Sequence, residues 1–228
     1  MNDTPKLVRN TGYYWTSPVY EFNLPAGTTC PFAKECKIVV GENCGKFLND
    51  SASFRCYAAS AERFPSARAS RWANYRGVLR GIMPDIHGCA NVRIHMSGDF
   101  FSQAYFDQWL SVASSHGATL FWAFTKSLNF WMNRRRDIPK NLMLTASAGG
   151  HHDWMISEYG LKCATVFKRR EEIPNGMPID TDDYYAAHGA DSFALLDNHC
   201  KRESVDAPND ELRREETASG GTHEAMRG

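Results

Sequence analysis

The sequence has no surplus of either charge: 26 Lys and Arg are balanced by 26 Asp and Glu over 228 residues. A chain without a net positive field does not hold nucleic acid by global attraction, so any basic site must be local. Long apolar runs are also missing. The opening MNDTPKLVRN lacks the hydrophobic stretch of a signal peptide, and the most apolar window, Leu120 to Met132, is too short to cross a bilayer and contains Lys126. The sequence therefore predicts a cytoplasmic protein with no membrane partner. Paired CxxC knuckles of the zinc-ribbon kind are absent, and seven cysteines, an odd number, do not suit a disulfide framework in a reducing compartment. Metal ligation, catalysis or burial must explain them. With 43% apolar and 23% charged residues, collagen-like, coiled-coil and disordered classes are excluded.

What is present alternates. Val19 to Leu24 reads as a first strand, closed by the turn Pro25-Ala26-Gly27. Helix formers run from Ala58 to Met83, and Pro65 predicts a break into two helices. Four runs rich in β-branched and aromatic residues follow, from Val92, Thr119, Asn141 and Lys162, beginning 27, 22 and 21 residues apart. Between the first two, Tyr105, Phe106, Trp109, Val112 and Ala113 share one helical face, with Ser102 placed to cap it. Short helices fit around Phe130 to Arg136 and Asp153 to Glu158, and Ser192 to Leu196 supplies a last strand. Strand, helix, strand at this period predicts an α/β fold, a six-stranded parallel sheet built from right-handed crossovers. The expected layout is an N-terminal arm at 1–18, a β/α domain at 19–200 and a disordered tail at 201–228, where the apolar pattern stops.

The loop after the first strand holds four cysteines. Five residues separate Cys30 from Cys36, seven more lead to Cys44, and eleven more to Cys56. Thiolates are soft ligands that suit zinc or an iron-sulfur cluster, and Pro25, Gly27, Gly41 and Gly45 make the stretch a loop able to wrap one centre. Cys89 and Cys163, before and inside a strand, read as core residues.

In parallel β/α folds the loops at the carboxyl ends of the strands form the functional face. Those ends here read Ser97-Gly98-Asp99, Thr125-Lys126-Ser127, Ser147-Ala148-Gly149-Gly150-His151-His152 and Lys168-Arg169-Arg170. The cysteine loop must lie on the same face, so one site is expected. Asp99 can hold an ammonium or hydroxyl group, or can simply cap the next helix. Ser147 and Gly149 offer close approach to an adenosine-like group, and His151 or His152 could serve as ligand or base. Lys126, held near the sheet centre, is the candidate catalytic residue. Two basic clusters, Arg63, Arg68, Arg71, Arg76 and Arg80 with Trp72 and Tyr75, and Arg134 to Arg136, could track phosphates or form a solvated helix face.

The segments LPAGTTCPFAKEC, RCYA, RIHMSGDFFSQAYFDQW and FTKSL resemble the bacteriophage gene-product-88 family over roughly residues 20 to 200. The layout is also similar to that of radical S-adenosylmethionine enzymes, which implies a six-stranded partial β/α barrel with a three-cysteine cluster loop after strand one. On that resemblance Cys30, Cys36 and Cys56 would match the ligands of a four-iron four-sulfur cluster, and Ser97, Gly98 and Asp99 the segment that holds the methionine amino group. The usual CxxxCxxC spacing is replaced here, with residues 37–55 standing as an insertion; Cys44 is then either a fourth ligand or a bystander. The implied function is a radical S-adenosylmethionine-like enzyme in the host cytoplasm, with an electron donor and a nucleotide or nucleic-acid substrate. The alternative is a non-catalytic, zinc-stabilised nucleic-acid-binding protein closed by four thiols.

Overall fold

The structure, a computed structural model, describes residues 4–13, 15–49 and 56–197. The expected tail at 201–228 lies outside the described residues. Seven strands form one sheet in the order β1-β2-β3-β4-β5-β6-β7: β1 (Val8–Asn10), β2 (Val19–Phe22), β3 (Asn91–Ile94), β4 (Leu120–Thr125), β5 (Leu142–Ser147), β6 (Cys163–Phe167) and β7 (Phe193–Leu196). From β2 to β7 every neighbour pairs in parallel, with Val92 beside Phe121 and Trp122 beside Met143. The six expected strands are these. The count is nevertheless corrected to seven, because β1 adds in antiparallel fashion, Val8 opposite Glu21. Three residues are too few to display a period-two pattern; β1 exists because it satisfies the backbone edge of β2, and Asn10 then donates to the Glu21 carboxylate. No pairing joins β1 to β7 among the described residues, so the fold established is a mixed α/β one on a mostly parallel, open-ordered sheet.

The helices are α1 (Tyr57–Ala61), α2 (Pro65–Leu79), α3 (Gln103–Ser115), α4 (Leu128–Asn133), α5 (Trp154–Tyr159) and α6 (Tyr184–His188). Pro65 opens α2, where its missing N–H and fixed φ do no harm. Ser102 caps α3, its hydroxyl accepting the Tyr105 N–H at 3.2 Å.

The central strands are buried on both faces, which is why they read as unbroken apolar runs. On one face Phe121 and Ala123 of β4 pack with Phe22, Ile94 and the α3 residues Tyr105, Phe106 and Trp109. On the other, Trp122 meets Val19, Ala164, Phe193 and the α6 alanines Ala186 and Ala187, with Tyr13 and Trp15 laid over them. Trp15 stacks on Trp122 at 5.0 Å, so part of the N-terminal arm is packed onto the sheet. Asp183 fixes this second layer. It sits in the left-handed region at φ 61° and starts α6. Its Oδ2 accepts from Tyr13 Oη at 2.5 Å and from Trp122 Nε1 at 3.3 Å, and pairs with Arg93 Nη1 at 2.9 Å. Arg93 also lies 5.2 Å from the Phe124 ring.

Candidate functional site

The cysteine loop begins with a turn that only glycine can make. Gly27 has φ +72°, and a Cβ there would stand 2.1 Å from the Ile38 carbonyl oxygen. The loop then lies across the carboxyl ends of the strands. Lys34 and Glu35 donate their N–H groups to the Gly149 carbonyl at 3.2 and 3.1 Å, and His151 donates to the Phe32 carbonyl at 2.9 Å. These bonds frame the Ala33 to Gly150 bridge and fasten the loop to the segment after β5.

Two of the four loop thiols are raised by their surroundings. Burial pushes the Cys30 thiol well up, and the neighbouring charges of Asp99, Cys56 and Cys36 push it further. Burial also raises Cys36, opposed by the Lys126 ammonium and assisted by Cys56 and Asp99. Cys56 is delivered from elsewhere, at the N-cap of α1, where its side chain makes no capping bond. Cys44 is exposed. It lies in the turn between Val40 and Phe47, its sulfur 2.6 Å from where a Cβ on Gly41 would stand. Cys163 is buried in β6 and the half-buried Cys89 packs against the main core, as expected.

The polar residues at the strand ends are engaged by the protein itself. Ser97 Oγ donates to the Leu24 carbonyl at 2.8 Å, latching β3 to the chain leaving β2. Gly98 has φ +88°, and a Cβ on it would meet Thr29 Oγ1 at 2.6 Å, so the place a ligand backbone could use is filled by the cysteine loop. Asp99 does not cap α3. Its buried carboxylate accepts from Thr125 Oγ1 at 2.6 Å, the Phe100 N–H at 2.7 Å and the Lys126 N–H at 2.8 Å, and burial raises its pKa to about 6. Lys126 Nζ donates to the carbonyls of Ser147 and Ala148 at 3.0 and 2.5 Å and to Ser147 Oγ at 2.7 Å, closing the end of β5. The amides of Gly149 and Gly150 are taken by Asp153 at 2.7 and 2.9 Å, and Glu35 lies against Gly149. His152 lies against Phe32 with ring centroids 4.5 Å apart.

The basic cluster of α2 is largely spent as well. Arg68 donates to the carbonyls of Glu42 and Glu62, both at 2.7 Å, Arg71 is buried against Glu62 at 3.0 Å, and Arg76 pairs with Glu42 at 2.6 Å. Trp72 and Tyr75 meet edge to face, and Tyr75 packs on Phe101, so neither is a free stacking platform. Of the second cluster, Arg134 pairs with Asp107 at 2.8 Å.

The donor chemistry can be compared with the metal centres that thiols hold. Among the described residues no three His, Cys, Asp or Glu side chains are arranged to hold a metal ion. A tetrahedral zinc needs its ligands within bonding distance of one point, and the outward Cys44 does not help to close such a site. A cluster places its own iron and sulfide between its ligands, so it asks for thiols set wider apart. Cys36 and Cys56 lie close enough to the buried Cys30 thiol to act on it, and Cys44 is exposed.

Sequence reasoning missed Glu62, Glu35 and the buried pairing of Arg71. Glu62 and Arg71 lie in a charged helical stretch that reads as a solvated face, yet both are buried. The nine-residue separation that joins them crosses a helix break, so no helical spacing rule could pair them.

No helix among the described residues is long and apolar enough to cross a membrane. No curated protein and no solved structure matches the chain significantly. The Cys-Pro loop, the Cys-Tyr-Ala at the head of α1 and the Ser-Gly-Asp-Phe that ends β3 all meet at one edge of the sheet, and the gene product 88 family model matches residues 2–218 around them: the chain belongs to the gene product 88 family.

Proposed function

We propose that this protein is a phage-encoded iron-sulfur enzyme of the radical S-adenosylmethionine-like kind, with Cys30, Cys36 and Cys56 as the protein ligands of a four-iron four-sulfur cluster. What supports the reading is the nearness of Cys36 and Cys56 to the buried Cys30 thiol at the carboxyl edge of a sequentially ordered parallel sheet, with Cys44 exposed. In this reading β2 to β7 form the partial barrel. When bound, such a cluster supplies single electrons for the reductive cleavage of S-adenosylmethionine.

The chain's own residues hold the site. The raised thiols of Cys30 and Cys36 must lose their protons to bind metal, so loading is favoured by higher pH. Lys126, the nearest cation to act on Cys36, favours its thiolate. The backbone bonds at Phe32 and the bridge from Ala33 to Gly150 fasten one side of the loop to the strand ends. Ser97, Gly98 and Asp99, assigned by resemblance to the methionine amino group, already latch the strand ends, so an ammonium at Asp99 must share a carboxylate with three internal donors. A nucleotide or nucleic-acid substrate remains part of the proposal, with the exposed Arg63, Arg135 and Arg136 as the available cations. A one-electron donor is the required partner.

The test is calorimetric titration of S-adenosylmethionine into anaerobically reconstituted protein. Stoichiometric binding that weakens roughly ten- to hundred-fold in Asp99→Asn supports the reading. No binding to a fully reconstituted wild type removes the cofactor, and a colourless protein holding one zinc favours the non-catalytic zinc module.

A further inference from the structure

Glu62 caps the C-terminal end of α1, the helix that Cys56 opens. Its side chain has no exposed surface, yet it is a carboxylate. One oxygen, Oε1, accepts from the Ala26 N–H at 2.6 Å and from Arg71 Nη1 at 3.0 Å, with Ser97 Oγ 3.5 Å away. The same Arg71 nitrogen donates to the Ala58 carbonyl at 2.7 Å. The other oxygen, Oε2, is buried and has no hydrogen-bond partner among the described residues.

As a source of stability this arrangement is poor. A buried ion pair seldom outperforms a well-packed apolar pair of the same volume, and a buried oxygen left without a donor is a net loss. As a joint it is well placed. Ala26 lies in the turn that leads to Cys30, Ala58 is two residues beyond Cys56, and Ser97 ends the chain leaving β3. One carboxylate therefore ties together the two segments that deliver Cys30 and Cys56, reinforcing an apolar contact in which Ala26 packs with Ala58, Ala59 and Cys56.

We propose that Glu62, held by Arg71, is a positioning residue that sets Cys56 relative to Cys30. The inference rests on the reading of Cys30, Cys36 and Cys56 as one site, and its test does not need a loaded cluster. The metal-free full-length chain is treated with bis-maleimidoethane, and the bridged Cys30 to Cys56 peptide pair is quantified by mass spectrometry while the melting temperature is recorded. Three variants are compared with wild type. Glu62→Gln keeps an acceptor oxygen for the Ala26 N–H and should bridge within about twofold of wild type. The double variant Glu62→Leu with Arg71→Met fills the same space without the joint, and should bridge about tenfold more slowly, since bridging depends on how often two thiols are held in reach. Glu62→Asp keeps the charge but is one methylene too short to span to Ala26; it should lose bridging similarly, and decides the matter if the double variant does not fold.

Iron and sulfide content after anaerobic reconstitution should follow the same order. Wild-type bridging rates in both the double variant and Glu62→Asp would overturn the positioning role while leaving the three-thiol site intact. Failure of wild type itself to bridge Cys30 to Cys56 would overturn the site and the positioning role together.

Discussion

The two ends of the sheet's second layer are built on opposite terms. At the Asp183 side, Arg93, Tyr13 and Trp122 all converge on one carboxylate oxygen, and aromatic rings seal the layer. At the carboxyl edge, Asp99, Lys126 and Ser97 are likewise consumed by internal bonds, but the thiols of Cys30, Cys36 and Cys56 are not. The polar groups at the strand ends that look functional in the sequence act as structural latches among the described residues. The comparison teaches that in this fold the strand-end polar residues build a platform on which the cysteine loop rests, and the proposed chemistry falls to the loop.

The sealed side can be broken by removing its hub. Asp183→Ala leaves the Arg93 guanidinium buried and unpaired, and should cost about 3–5 kcal/mol in urea denaturation. An effect below about 1 kcal/mol would mean that the aromatic layer holds without its ion pair. The thiol edge is sharpened by Gly98→Ala. The new Cβ meets Thr29 and Leu24 at 2.6 and 2.7 Å on a backbone at φ +88°, for a loss of about 2–4 kcal/mol. Because the clash lifts the cysteine loop, alkylation of Cys30 should become faster in the same variant, and an unchanged rate would show that the loop does not rest on Gly98.

His95, buried at the end of β3 against Tyr105 and Phe100, gives the comparison a pH axis. Burial lowers its pKa to about 3 from 6.5, so it is neutral in the folded chain. Below pH 6.5 the unfolded chain takes up a proton that the folded chain refuses. Stability is therefore full above that pH and falls as the medium is acidified toward 3, by about 2 kcal/mol at pH 5. His95→Asn, with a residue that tolerates the φ of 66° found here, should lose this part of the acid slope whatever its baseline stability; an unaltered slope would assign the loss to other groups. The smallest effect belongs to Cys44→Ser, an exposed position, which should change unfolding free energy by less than about 0.5 kcal/mol.

Much of the sheet is legible in the sequence because β2 to β7 are rich in β-branched and aromatic residues, with β4 and β5 buried on both faces, and Ser102 marks the start of α3. β1 and α6 are not legible. Each is too short to carry a period, and both depend on partners far along the chain, β1 on the edge of β2 and α6 on Asp183 with Tyr13. The gathering of the loop on the strand ends is predictable from topology, since a loop that leaves β2 must emerge there. The roles of the strand-end residues are not. Asp99 reads as a group that holds a ligand or as a helix cap, and it does not cap α3, because Thr125, at the end of a different strand, claims its carboxylate.

The most direct measurement of the central claim is iron and sulfide content, with the visible absorption spectrum, after anaerobic reconstitution of wild type and of Cys30→Ala, Cys36→Ala, Cys56→Ala and Cys44→Ser. Three protein thiolates holding one cluster predict about four iron and four sulfide per wild-type chain, loss in each of the first three variants, and full retention in Cys44→Ser. Retention of the cluster in any of the three alanine variants, or its loss in Cys44→Ser, would contradict the three-thiol account.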